Sequence, residues 1–266
     1  MAVRSTRHRR WLRKATLGVA GLVGFLTVWQ LIPTLGLIDA QYLPYVTDVA
    51  VRLVNELRDL AFWRRLGETM TAWAIGLAIA SSAAVVLGTV VGLVPFLRRA
   101  THTTVEFLRP IPSVALIPLA VLMFGIRMQA ALVIIVFASF WQVFVQVIYG
   151  VADVDAVARD TARSFGLPRR AQLLHLVLPT ALPYLMTGLR LAAAVALILA
   201  ITAEMVIGNP GLGRMIELSR SAGDAVGLYA LVVVTGLLGL IVNIVFRFIE
   251  RRSLSWHQSV RGEEPL

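Results

Sequence analysis

Side chains able to carry out chemistry are few in this chain and stand far apart. There is no cysteine, which removes disulfides, thiolate metal sites and thiol redox steps. The four histidines, His8, His102, His175 and His257, lack the short spacings that bring ligands onto one metal. No nucleophile, base and carboxylate recur in a converging pattern. The single lysine, Lys14, lies in a basic N-terminal run, so the phosphate-cradling Gly-x-x-x-x-Gly-Lys-Ser/Thr loop is missing and ATP hydrolysis by that route is excluded. The expectation is a chain that is not an enzyme, with no catalytic residue, no metal site and no cofactor of its own.

What remains are polar residues in apolar surroundings. Gln142 and Gln146 stand one helical turn apart, so both amides face the same way and need partners or water. They read either as interhelical hydrogen-bonding groups or as lining of a solute path. Arg190 and Glu204 are 14 residues apart in one apolar run, roughly 21 Å along a helix, too far to pair with each other. Each costs a few kcal/mol in hydrocarbon unless it is paired or wet. Arg190, near one end, can snorkel or bind on the Glu106 side; Glu204 lies deeper and reads as a gate or pathway group or as half of a structural ion pair. Pro110, Pro112 and Pro118 fall within Glu106–Gly125, where each removes a helix donor and frees a carbonyl that protein or a wet cavity must satisfy. Pro112, Pro118, Gln142, Gln146 and Glu204 are thus the candidate pathway residues.

The elements that must hold these groups are membrane helices. With 58% hydrophobic and 15% charged residues, the 266-residue chain reads as an all-α membrane protein with six transmembrane helices. Residues 1–14 form a basic tail, and 15–66 a retained first helix followed by an external segment with an amphipathic helix over Thr47–Trp63. Residues 67–250 form the core and 251–266 a second tail. The run Thr69–Leu97 carries Gly76, Ala80, Ala83, Ala84, Gly88 and Gly92 at helical spacing, a face suited to close packing. Lys and Arg number 16 in segments 1–14, 96–103, 151–182 and 247–266, against 7 in 34–66, 125–129 and 208–224. The positive-inside rule therefore puts both termini and residues 153–183 in the cytoplasm. The net charge of +10 is divided among these loops, with no aromatic-interleaved basic domain, so nucleic acid is not an expected partner.

Residues 153–183 are the polar exception. Asp155–Phe165 reads as a short helix with small residues on one face, Gly166 as its left-handed terminator, Leu167-Pro168 as a turn, and Arg169–Leu178 as a second amphipathic helix stopped by Pro179. This stretch resembles the cytoplasmic signature of the permease subunits of binding-protein-dependent ABC importers: Glu-Ala-Ala, three residues, Gly, nine residues, Ile, one residue, Leu-Pro. Asp160, Thr161 and Ala162 stand for the triplet, Gly166 for the glycine, Leu176 for the isoleucine and Leu178-Pro179 for the end. Two further stretches, Leu108–Pro112 with Ile117-Pro118 and Phe124-Gly125, and Gly188–Leu191 with Ala203-Glu204-Met205, are similar to permeases for sulfonates, taurine and nitrate. At Gln142 the chain departs from that pattern, in which proline is more usual.

The resemblance implies a type I importer permease fold in a bacterial cytoplasmic membrane, a homodimer around one path, and alternating access. It implies two ATPase subunits, which would hold ATP and Mg, and an extracytoplasmic solute-binding protein near the Gly211-Leu212-Gly213 loop. It makes Asp160, Thr161, Ala162, Gly166, Leu167, Arg169, Arg170, Leu176 and Pro179 the ATPase-coupling residues. A secondary transporter and an ATP-driven exporter permease are the alternatives; the first needs ionisable relays within the membrane, for which Glu204 is the one candidate.

Overall fold

The computed structural model describes residues 3–254, with side chains from Thr16 onward, and the regular elements described are all helical. They are α1 (Val3–Thr34), α2 (Val46–Arg58), α3 (Leu60–Leu93), α4 (Pro95–Leu108), α5 (Ile117–Phe124), α6 (Met128–Ala152), α7 (Ala156–Ser164), α8 (Arg169–Gln172), α9 (Leu178–Ile207), α10 (Leu212–Ser221) and α11 (Ala225–Ser253). A 3₁₀ turn, Ser113–Leu116, leads into α5, and a π turn, Leu173–Val177, joins α8 to α9. Five stretches are long and apolar enough to cross a bilayer: Thr16–Thr34, Leu60–Leu93, Met128–Ala152, Arg169–Ile207 and Ala225–Ser253. A sixth crossing is available if α4 and the 113–124 segment count as one broken span. The chain divides into two compact units, one built from residues up to 62 with 216–234, the other from 63–215 with the residues from 235 on.

In the larger unit, helix directions follow from where glycines let backbones approach. Gly76 lies against Ile135, Gly88 against Val147 and Gly92 against Val151, pairs offset by a constant 59 residues, so α3 and α6 run parallel. A Cβ on Gly88 would come within 3.0 Å of Val147 Cβ, which is why this face is built from small residues. Between α6 and α9 the pairing is antiparallel: Gly150 meets Ala181, Gly188 meets Val143, and the Ser139 hydroxyl reaches the Ala192 carbonyl at 3.4 Å. Two parallel helices in succession need a return between them, and residues 94–127 supply it. Helices α6 and α9 are the most buried spans of this unit, and in α9 Ala192, Ala193, Ala196, Ala200 and Ala203 are fully enclosed. The Trp73 indole N–H donates to Ala193 O at 2.9 Å, giving this wall of small residues a polar fastening to α3. Arg190 pairs with Glu250 on α11 at 3.1 Å, not with the Glu106 side, because the antiparallel run of α11 brings its C-terminal turn beside the first half of α9.

The return segment differs from the expected kinked helix. The axis bends by 82° between α4 and the 113–124 segment. Pro110 and Pro112 lie in the break, where no helix donor is missed, and Pro118 occupies the first turn of α5, where its absent N–H would be unpaired in any case. No helix interior is opened by these prolines. Arg98 and Arg99 stand in α4, not in a loop.

In the smaller unit, α2 ends at Arg58 instead of running to Trp63. Asp59 takes an extended conformation and its carboxylate accepts from Ala61 N–H at 2.9 Å, capping α3 and splitting the expected helix in two. Trp29 Nε1 donates to Pro44 O at 3.0 Å, and the Trp29 and Tyr229 rings lie 5.7 Å apart. Arg52 bridges Glu56 at 3.0 Å and Asp224 at 3.4 Å.

Candidate functional site

At the end of the larger unit where α6 stops and α9 begins, residues 153–172 form a helix, a turn and a second helix. Asp155 starts α7 by accepting from Val157 N–H at 2.7 Å. Gly166 ends it with φ +69°, while Gly166 N–H donates to Arg163 O at 2.9 Å and Leu167 N–H to Ala162 O at 3.0 Å. This pair of reversed bonds satisfies the last carbonyls of α7 and fixes the direction of exit. Gln172 Nε2 donates to Leu167 O at 2.8 Å and holds the turn from the far side. At the base, the Tyr184 hydroxyl donates to Asp153 at 2.9 Å, so the first residue after α6 is tied to α9.

Beyond the turn, the chain does not stop at Pro179. The π turn sends Leu178 N–H to Leu173 O and widens the helix just ahead of the proline, whose ring would otherwise press on the preceding turn. Pro179 then sits in the first turn of α9 and Pro183 within it. Arg169–Ile207 is therefore one helical run of 39 residues, about 58 Å long at the usual rise. No loop separates α8 from the buried part of α9.

The segment's side chains fall into two sets. Asp160, Thr161, Gly166, Leu167, Arg169 and Arg170 are exposed, and Arg169 and Arg170 make no ion pair among the described residues. Ala162, Leu176 and Pro179 are half-buried, and Leu176 packs on the core. Sequence reasoning passed over the two most exposed apolar side chains: Phe165 is 80% exposed and Val157 72%. A large aromatic directly before the helix-ending glycine of a polar segment was the available signal.

The pathway candidates do not come together. Pro112 and Pro118 are exposed, and Gln142 and Gln146 are half-buried beside Gly188 at the crossing of α6 and α9, with no side-chain hydrogen bond among the described residues. Glu204 is buried at the opposite end from the 153–172 segment. Its Oε2 accepts from Thr69 Oγ1 and from Gly213 N–H, both at 2.9 Å, and Thr69 Oγ1 accepts from Leu212 N–H at 2.9 Å. Glu204 and Thr69 thus cap the first two N–H groups of α10 and join α3, α9 and α10. Its partners are hydrogen-bond donors, not the second charge of an ion pair. No side chain fits at Gly211, against the carboxylate, or at Gly213, against Ile201 O, which accounts for the Gly-Leu-Gly sequence. Beside this cluster lies a cavity of about 450 Å³ lined by Arg64, Glu68, Thr71, Glu204 and Asn209 among others.

Residues 84–255 match the family described as the binding-protein-dependent transport system inner membrane component. The chain belongs to that family. This permease is 30% identical over 268 residues to the taurine transport system permease protein TauC of Escherichia coli (strain K12), covering 96% of each chain. It is 28% identical over 259 residues to the bicarbonate transport system permease protein CmpB of Synechococcus elongatus, covering 91% of this chain and 92% of the relative. Its fold is also that of a solved permease chain in a bacterial alginate ABC transporter bound to an alginate-loaded periplasmic protein, with TM-score 0.62 at 14% identity over 95% of this chain and 98% of the other. The permease is thus the membrane component of an ABC importer.

Proposed function

We propose that this permease imports a small solute bearing an oxyanion group by alternating access, driven by two ATPase subunits seated on residues 153–172 of two permease copies. The observation that carries the reading is the exposed tip at Phe165 and Val157, fused through Gly166 and α8 to the unbroken 39-residue run ending at Ile207. An apolar tip rimmed by Asp160, Arg169 and Arg170 suits a groove on another protein, and a helix without a hinge suits transmission of its movement. ATP and Mg belong to the partner. One chain carries one such tip, so a symmetric pump needs two copies. The positive-inside count supports a cytoplasmic position for the tip and for both termini, in a bacterial cytoplasmic membrane. The Gly-Leu-Gly loop held by Glu204 is then external, where a solute-loaded binding protein docks. The oxyanion class rests on the relatives, since taurine carries a sulfonate and bicarbonate is itself an oxyanion.

The test is purification of the tagged chain in mild detergent with its co-expressed partners. The expected result is an ATPase in equal stoichiometry whose activity rises with a binding protein loaded with a sulfonate, nitrate or bicarbonate. A chain that purifies without an ATPase and transports only on an ion gradient overturns the reading.

A further inference from the structure

Helix α4 is the one long helix of the larger unit with no buried residue, and it is amphipathic. Phe96 and Phe107 are 75% and 72% exposed. The face turned to the rest of the unit borders a cavity of about 130 Å³. Its apolar lining includes Val91 from the end of α3 and Val145 and Ile148 from α6; its polar groups include Arg98, Arg109 and Tyr149. Neither arginine has a carboxylate partner among the described residues, and the Tyr149 hydroxyl has no hydrogen-bond partner there. The only carboxylate on the lining is Glu106, which lies 3.5 Å from His102.

We infer that Arg98, Arg109 and Tyr149 bind the headgroup of an anionic phospholipid of the cytoplasmic leaflet. Three arguments select this occupant. The free groups are donors, two of them permanent cations, which calls for an anion with several acceptor oxygens. Val91, Val105, Val145 and Ile148 line the same cavity as those donors, an apolar surface that a free anion does not use and an acyl chain does. An amphipathic helix whose phenylalanines and arginines are exposed while Leu97, Val105 and Leu108 turn towards the unit, between two apolar crossings, has the make-up of an interfacial element, and anionic lipids concentrate at the cytoplasmic surface. Residues 95–112 then lie along the membrane face before the chain turns by 82° to enter it. The inference rests on the membrane orientation proposed above and not on the identity of the solute or on ATPase docking.

The test reads lipid retention on the purified permease in nanodiscs of phosphatidylcholine containing phosphatidylglycerol, followed by native mass spectrometry. Wild type is expected to retain phosphatidylglycerol over phosphatidylcholine. Each arginine near a membrane surface contributes enough for about a fivefold preference, so R98Q/R109Q should lose about 30-fold. R98K/R109K should keep most of the retention, and R127Q, which removes the same charge from the other end of the unit, should change nothing. Equal retention of both lipids by wild type overturns the inference, as does an equal loss in R127Q. Displacement of phosphatidylglycerol by millimolar inorganic phosphate would show a free-anion site and overturn the lipid assignment. Because the readout needs no ATPase, loss of the importer reading leaves this result interpretable.

Discussion

Gly166→Val places a β-branched residue where the backbone has φ +69°. A Cβ built there meets nothing within 4 Å, so the penalty is conformational and local, not steric against neighbours. The left-handed region costs an L-residue roughly 1–2 kcal/mol, and more for valine than for alanine. Either the turn persists with that strain, or it relaxes, losing the bonds to Arg163 O and Ala162 O and re-aiming Phe165 and α8. In the second case the tip is correctly formed in only about a tenth of molecules, and apparent ATPase affinity falls about 5- to 30-fold. The assay is equilibrium binding of the purified ATPase to the detergent-solubilised permease, with helix content followed by circular dichroism to show that the spans persist. Gly36→Val is the matched control. Gly36 has the same φ of +69°, the same empty surroundings and the same reversed bonds, to Pro33 O and Ile32 O, but lies at the end of α1. Gly166→Asn, which tolerates this conformation, should restore most of the binding. Wild-type affinity in Gly166→Val, or an equal loss in Gly36→Val, refutes the reasoning.

Phe165→Ala should leave thermal stability unchanged, since the ring is exposed, yet weaken ATPase binding about 10- to 100-fold by the burial lost at the interface; unchanged affinity would mean that the ring does not enter the partner. Glu204→Ala strips the acceptor from Thr69 and Gly213 and should destabilise the permease by roughly 2–5 kcal/mol, whereas Glu204→Gln retains an accepting oxygen and should cost less than half of that. Thermal unfolding in detergent, with hydrogen exchange at the Leu212 and Gly213 amides, separates the two, and equal effects would remove the capping role. Gly188→Ala puts a methyl 3.1 Å from Val143 Cα and 3.2 Å from Gln142 O and should cost roughly 1–3 kcal/mol, while Gly24→Ala, in open space, should cost nothing; a differential melting curve checks both.

Much of this permease was legible in one dimension because its signals are local or periodic. Apolar runs of bilayer length mark the spans, the small residues at 76, 88 and 92 mark a packing face, and the spacing from Asp160 through Gly166 to Pro179 marks the helix-turn-helix. A left-handed glycine and an Asp N-cap act within a few residues, so Asp155 and Gly166 do in space what their types dictate. Tertiary structure decided what depends on which distant group is nearby. Pro179 could be read as a stop because the sequence gives no sign that a π turn would absorb it and let the helix run on. Pro112 and Pro118 could be read as helix-opening for the same reason, since a proline's effect depends on whether it falls inside a helix or at its edge. Arg190 found Glu250, 60 residues away, because α9 and α11 are antiparallel at that depth. Glu204 acquired its meaning only when Thr69, 135 residues distant, and the start of α10 were brought to it. A buried carboxylate needs donors, and which donors arrive is fixed by helix register, a property of the packed molecule and not of any window of its sequence.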